Sequence, residues 1–431
     1  MPKSKSVLIL LVLVALLAGL TQASAPATAQ EEVTLVVWDN WTRDAEQAMI
    51  DQLNAEFEEA HPGVTIQREA YDTTDLTNIL PLAMSEAGGP DVAMINQGYT
   101  GMGPMVEAGL LLPLDDYAGQ FGWADRYAEG LHNRNSFSDD GAQMGEGGLY
   151  GVSNTAEVVG VFYHKPVFEE LGLEVPETLA DFEAMLATIA EAGMTPIVFG
   201  SLDAWPAIHE YSAIQHAYSS LAEIEDFLYR REGGTFDTEA NLQAAQTLVS
   251  WVESGYFSPG YEGMDYDNAT LGAFLNQEGV LWITGSWMAG TLATELGEDA
   301  VGFFLFPPAD GEAAPLSIGG VGLAYGVRAD TENPDLAAEY VDWVTGPRAA
   351  ELLLAEGFLP AAAVDVETLP EGSLTRDVVE AWNTISSEDA VGHYLDWTMP
   401  DIAAFIQELM AGQSSPEEFV QAVEEAYQAE Q

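Results

Sequence analysis

From Glu32 onward, short apolar runs alternate with stretches in which apolar residues recur every three or four positions, the pattern of strands interleaved with amphipathic helices. A first strand is expected over 33–38. Residues 44–60 then read as a helix, with Met49, Ile50, Leu53 and Phe57 at helical spacing and His61-Pro62-Gly63 as its stop. A strand over 64–69, a helix over 76–87, a buried strand over 91–95 and a short helix over 101–108, ended by Gly109, complete one α/β lobe near Tyr117. A glycine-rich passage from Gly141 to Gly151 leads into a strand over 158–163, and helices over 166–171 and 179–192 open a second lobe. Helices near 223–231 and 239–254, a strand over 279–283 and the apolar run 303–306 extend it. Beyond the loop 307–315 come a strand over 323–327, helices over 334–344 and 348–355, and a helical tail near 374–385, 401–410 and 416–428. No internal repeat is present, which argues against a repeat-built adhesive protein.

At 431 residues the chain is too long for one ordinary hydrophobic core, so length agrees with two lobes. Hydrophobic residues make up 48% and charged residues 19%, which excludes a chain disordered as a whole. The charge balance changes the picture more. Twelve Lys and Arg against seventy Asp and Glu leave a formal charge of −58. Such a surface repels phosphate backbones and anionic headgroups, which excludes nucleic acid and polybasic membrane docking as expected partners. Most of these carboxylates read as solvated surface. Their self-repulsion is best tolerated where salt screens it, so adaptation to high salt is an expectation.

Residues 1–29 read as a signal peptide: Lys3 and Lys5 precede an apolar run from Val7 to Leu20 that is short for a bilayer span. Ala23-Ser24-Ala25 and Ala27-Thr28-Ala29 both suit signal peptidase, and cleavage after Ala29 is preferred. The protein is then exported, periplasmic or on the outer face of the cytoplasmic membrane. With no Cys in the chain there is no disulfide, no thiolate zinc site, no catalytic cysteine and no lipobox cysteine.

A series of motifs recurs in order along the mature chain. They are Val37-Trp38-Asp39-Asn40-Trp41, then Phe57 to Val64 around His61-Pro62-Gly63, Gly89-Pro90-Asp91-Val92, and the run Glu107 to Tyr117. Leu149-Tyr150-Gly151-Val152 follows, with Phe162-Tyr163-His164-Lys165-Pro166-Val167-Phe168, Leu171-Gly172-Leu173, Pro176-Glu177-Thr178 and Gly279 to Trp287. Together they resemble the extracellular solute-binding protein family 1 of carbohydrate ABC transporters, the maltodextrin-binding-protein-like group. Ser153 and Asn154 depart from the family's hinge proline region, and His164 stands where Asn is usual. The resemblance implies an α/β, periplasmic-binding-protein-like two-lobe clamp that is a monomer and delivers a carbohydrate to the permease subunits of an ABC importer. Lobe one is expected at 33–152 with 318–356, and lobe two at 155–314 with 358–431. The hinge is expected near 151–154, 315–320 and 356–358, and closure about it would bring both lobes onto one solute.

A sugar presents C–H faces and many hydroxyls, so its binder needs exposed aromatic rings beside amides and carboxylates. Trp41, Trp205, Trp287 and Trp397 sit in or after turns and are candidates to stack on ligand. Trp251, Trp343 and Trp382 lie in helices and Trp282 in a strand, where burial in the core is expected. The candidate polar partners are Asp39, Asn40, Asn96, Gln97, Glu157 and Asp203, at strand ends or loops, although Asp and Asn also serve there as caps and turn formers. Tyr99 offers a further aromatic wall. Gly319 and Gly320 would allow close backbone approach to a ligand, or a hinge turn.

Rival chemistries lack their residues. His209-Glu210 begins a zinc-protease helix, but the second His belongs at Ala213, and His216 is three residues late. Gly319-Gly320-Val321-Gly322 and the glycines at 98, 101 and 103 read as ordinary turns rather than phosphate loops. Asp265-Tyr266-Asp267-Asn268 lacks the spacing of a calcium loop and reads as surface. No metal or cofactor is expected, and no catalytic residue. The alternatives left open are a binding protein for another small polar solute, such as a polyamine or glycerophosphodiester, and a secreted glycosidase. A phosphodiester would want Arg, and only Arg43 is near a predicted cleft loop.

Overall fold

The computed structural model describes residues 32–126, 129–310, 316–387, 390–399 and 401–430. The expected signal peptide lies outside the described residues. Strand β1 (Val33–Asp39) alternates as a half-buried strand should, with Leu35, Val37 and Asp39 inward. It pairs in parallel with β2 (Val64–Ala70) and β3 (Val92–Ile95). Helix α1 (Asp44–Ala60) connects β1 to β2 and buries Met49, Ile50, Leu53 and Phe57. Its first turn is closed by Glu46, whose carboxylate accepts the Arg43 N–H at 2.9 Å.

Apart from a small antiparallel pair, Ser136–Phe137 with Gly148–Leu149, the remaining strands divide between two lobes. They are β4 (Val152–Ser153), β5 (Ala156–His164), β6 (Leu281–Gly285), β7 (Val301–Phe304), β8 (Ser317–Val321), β9 (Ala324–Val327) and β10 (Val391–Gly392). One five-stranded sheet runs β2-β1-β3-β9-β4, and the other runs β10-β8-β5-β6 with β7 also on β5. The chain therefore crosses from the first sheet to the second between Ser153 and Ala156, and returns between Val321 and Ala324. A third passage runs beside the first, where Ala156 N–H bonds Leu359 O at 2.9 Å and Ala361 N–H bonds Asn154 O at 2.8 Å.

Two differences from expectation bear on the site. Gly319 and Gly320 stand inside β8 rather than in a turn, opposite Val158 and Glu157 of β5. The first sheet resumes at Ala324, so the stretch from 318 belongs to the second sheet through Val321. The other difference is helix α2 (Pro206–Tyr218), which the polar-apolar pattern does not announce. Every residue from Pro206 to His216 is buried. A helix enclosed on all sides has no polar face, and so no period to read. It packs against α3 (Glu239–Glu253), whose Thr238 caps the Asn241 N–H at 3.1 Å.

The expected core tryptophans Trp251, Trp282 and Trp382 are buried, while Trp343 is partly covered and donates its indole N–H to Leu53 O at 3.0 Å. The glycine at 320 has a φ of +146°, and a Cβ there would overlap the Arg134 guanidinium, which donates to the Gly319 carbonyl alongside. Gly320→Ala is expected to destabilise the fold by about 2–4 kcal/mol through that overlap and the backbone strain. Denaturant melts check this; a loss within about 0.5 kcal/mol, the range of an ordinary surface change, would show that Arg134 moves aside freely.

Candidate functional site

The antiparallel register of β5 and β6 builds one wall of the site. Val159 pairs with Gly285, and Ser286 Oγ accepts the Val158 N–H at 3.2 Å, so Trp287 arrives beside Glu157. Gly285 leaves room for the Trp287 ring, which would overlap any Cβ at that position. The indole N–H of Trp287 donates to Tyr266 Oη at 2.7 Å. Trp205, at the start of α2, lies 4.5 Å from the Tyr266 ring and 6.3 Å from that of Trp287. His209, one turn along α2, lies 5.1 Å from Trp205, 5.4 Å from Trp287 and 5.9 Å from Tyr394. Asp203 steadies the entry to this group by accepting the Tyr266 N–H at 2.7 Å. Trp205 and Trp287 keep part of their surface open.

Glu157 completes the wall and meets Tyr394, whose hydroxyl donates to it at 3.2 Å. Burial pushes the Glu157 carboxyl up to about 7, against the lowering effect of the Tyr394 bond. The Asp396 carboxyl is likewise pushed up by burial, to about 6, with the Asn96 bond opposing. Burial drives His209 down to about 3, so its imidazole is neutral at neutral pH.

The opposite side of the seam comes from the first lobe. Asn96, just after β3, accepts the Trp397 indole N–H at 3.2 Å and donates to Asp396 at 3.3 Å. Gln97 donates to Gly322 O at 2.7 Å, at the return crossing. Tyr99 takes part through its backbone N–H, which bonds Trp397 O at 2.7 Å, and its ring lies 4.1 Å under the Arg230 guanidinium. Gly98 makes the approach of Trp397 feasible, since a Cβ there would overlap its backbone. At the rim, Arg43 of the first lobe reaches Asp267 of the second at 2.6 Å while its other nitrogen holds Glu46 at 2.8 Å. The segment 265–268 is thus an interlobe contact rather than free surface.

Several sequence candidates stand behind the seam. Asp39 is fully buried and holds Arg68 through both carboxylate oxygens, at 2.6 and 2.7 Å. Asn40 donates to Thr73 Oγ1 at 3.1 Å. Trp41 is buried, donates to Tyr325 Oη at 2.9 Å and meets Phe358 edge-on at 5.7 Å. The space at Gly320 is filled by Arg134, which donates to the Gly319 carbonyl and to Val391 O and Gly392 O at 3.1 Å, while Gly319 packs against the β5 backbone. Trp397 is 1% exposed, enclosed between Asn96 and Tyr394. The structure therefore brings together Glu157, Asp203, Trp205 and Trp287 on one wall, and Asn96, Gln97, Tyr99 and Trp397 across the seam. Tyr266, His209, Tyr394 and Asp396 join them without having been singled out as site residues, because tertiary packing alone makes them neighbours. Among the described residues no group of three or more His, Cys, Asp or Glu could hold a metal ion.

Residues 40–351 match the bacterial extracellular solute-binding protein family. The chain belongs to that family. The multiple sugar-binding protein of Streptococcus mutans is 25% identical over 206 residues, which are 47% of this chain and 49% of that protein. The chain thus spans about half the length of that relative. The maltotriose-binding protein of Pyrococcus abyssi is 26% identical over 352 residues, 80% of this chain and 69% of the other. A solved chitin oligosaccharide binding protein superposes with a TM-score of 0.80 at 22% identity, covering 93% of this chain and 99% of that one. The solute-binding proteins with this fold have two lobes, as the two sheets here do.

The Glu157 shift has a signed consequence. Folded and unfolded chains both carry the proton below about pH 4.5; as pH rises toward 7 only the folded chain keeps it, so the stability it lends is lost across that window. Glu157→Gln, which stays neutral, is expected to match the wild type near pH 4.5 and to exceed it by about 2–3 kcal/mol above pH 7. Urea melts at a series of pH values test this, and parallel stability curves would place Glu157 at an ordinary carboxyl value.

Proposed function

We propose that the chain is the extracytoplasmic binding component of an ABC importer and holds a carbohydrate, an oligosaccharide, in the cleft between its lobes. The observation that carries this reading is the open-faced pair Trp205 and Trp287 beside the half-buried carboxyl of Glu157. Rings of this kind stack on the C–H faces of a sugar, and a carboxyl on the same lobe pairs with its hydroxyls. Glu157, Asp203, Trp205 and Trp287 would meet the ligand. Asn96, Gln97, Tyr99 and Trp397 would close the seam over it, with Asp39, Asn40, Trp41, Gly319 and Gly320 supporting the walls. The names of the relatives point the same way: they bind multiple sugars, maltotriose and chitin oligosaccharide.

On this reading the protein is an exported monomer that binds reversibly, breaks no bond, takes no nucleic acid and passes its ligand to the permease. A phosphodiester is a poorer fit because the nearby guanidinium groups are committed, Arg43 to Glu46 and Asp267 and Arg134 to backbone carbonyls.

A thermal-shift screen over maltotriose, raffinose, xylotriose, chitotriose, spermidine and glycerophosphocholine is expected to raise the melting temperature with an oligosaccharide and with neither of the last two. Prolonged incubation with that sugar should release no new reducing ends; steady turnover would establish a glycosidase instead. Trp287→Ala should weaken the sugar by about 1–3 kcal/mol in titration calorimetry while the fold persists. Arg43→Ala removes the interlobe ion pair and should cost about 0.5–1 kcal/mol of affinity, a difference that shrinks as salt rises. Equal affinities at low salt would show that the pair does not favour the closed clamp.

A further inference from the structure

His209 stands inside a cluster of aromatic rings. It is 4% exposed, on a helix buried all round, and three aromatic rings stand within 6 Å of its own. Its Nδ1 is buried and has no hydrogen-bond partner. A buried polar atom left unpaired costs on the order of 1–3 kcal/mol, so its presence in the wall calls for a partner that arrives from outside the protein. Protonation does not supply the offset, because burial disfavours the charged ring. Two of the surrounding rings, Trp205 and Trp287, are the partly open ones, and the third, Tyr394, hands its hydroxyl to Glu157. The imidazole therefore stands beside both stacking surfaces and beside the tyrosine that bonds Glu157.

We propose that His209 is a specificity-determining residue of the cleft, whose Nδ1 hydrogen-bonds a hydroxyl of the bound sugar between Trp205 and Trp287. The inference rests on the carbohydrate reading and deepens it. A neutral imidazole offers a lone pair on one nitrogen and a hydrogen on the other, and a hydroxyl both accepts and donates, so either tautomer of His209 is matched. Together with Glu157 on the same wall it selects sugars by the position of a hydroxyl rather than by ring stacking alone. A site that pairs such a group rejects the analogue lacking it, because the buried nitrogen is then left bare again.

The test compares the wild type with His209→Phe, which keeps a ring of similar volume and removes both nitrogens. The oligosaccharides of the panel, maltotriose, raffinose, xylotriose and chitotriose, are ranked by calorimetry for each. The expected result is a loss of about ten-fold or more for the preferred sugar, a flattened ranking, and a melting temperature without ligand that is unchanged or higher. Equal affinity and the same ranking in the two proteins would overturn the proposal while leaving sugar binding intact. A wild type that binds none of the panel would overturn both. Should the variant fail to fold, the wild type labelled with nitrogen-15 at histidine decides: the His209 Nδ1 resonance is expected to move at saturation with the preferred sugar, and an unmoved resonance would overturn the proposal.

Discussion

Three antiparallel pairs, Ala156 with Val321, Glu157 with Gly320 and Val158 with Gly319, bind the two strands that enter and leave the second lobe. Everything at the seam depends on that short ladder. It fixes the outgoing and returning crossings side by side. It also sets the height of Glu157, and through the β5–β6 register the height of Trp287. Arg134 seals the ladder from one side by donating to carbonyls of both β8 and β10. A buried guanidinium whose two terminal nitrogens are held by carbonyls is costly to displace, which explains why the strand beneath it carries glycine and no side chain.

The two sides of the seam are chemically unlike. The second lobe contributes large rings anchored by single hydrogen bonds, Trp287 to Tyr266 and Tyr394 to Glu157. The first lobe contributes amides and a phenol, Asn96, Gln97 and Tyr99, whose bonds reach across to the segment after β10 or to the crossing itself. Apolar area thus lies on one side of the seam and directional bonding on the other. The bonds from Asn96 and Tyr99 join one lobe to the other, whereas the ring cluster lies within a single lobe.

The alternation of apolar runs made the α/β class, most strands and the outer helices legible, because those elements each present one wet face. Helix α2 was hidden by the opposite circumstance, since a stretch buried on every side carries no alternation. The strand β8 was hidden by composition: Ser-Ile-Gly-Gly-Val reads as a turn, and only the distant Arg134 explains why glycine stands in a ladder. Among site residues, turn-borne tryptophans were visible as such, and Trp205 and Trp287 came together as a wall. Asp39 and Trp41 carried the same local signal, yet their partners, Arg68 and Tyr325, lie on other strands and claim them for the interior of lobe one. His209 was legible only as half of a metal motif; its neighbours across the fold give it another meaning.

The scarcity of cationic residues has a practical side. Beyond residue 31 the chain contains one lysine, Lys165, and it contains no cysteine at all. That lysine opens the helix Lys165–Leu171 in the second lobe, where its amine bonds Gly372 O at 2.8 Å and remains partly open to solvent. Beyond residue 31, amine-directed chemistry on side chains is thus confined to one group of known place. A single thiol introduced on α1 of the first lobe would be the only one in the molecule. The sequence thereby provides two orthogonal attachment points, one on each lobe, for reading the distance between them in a single molecule.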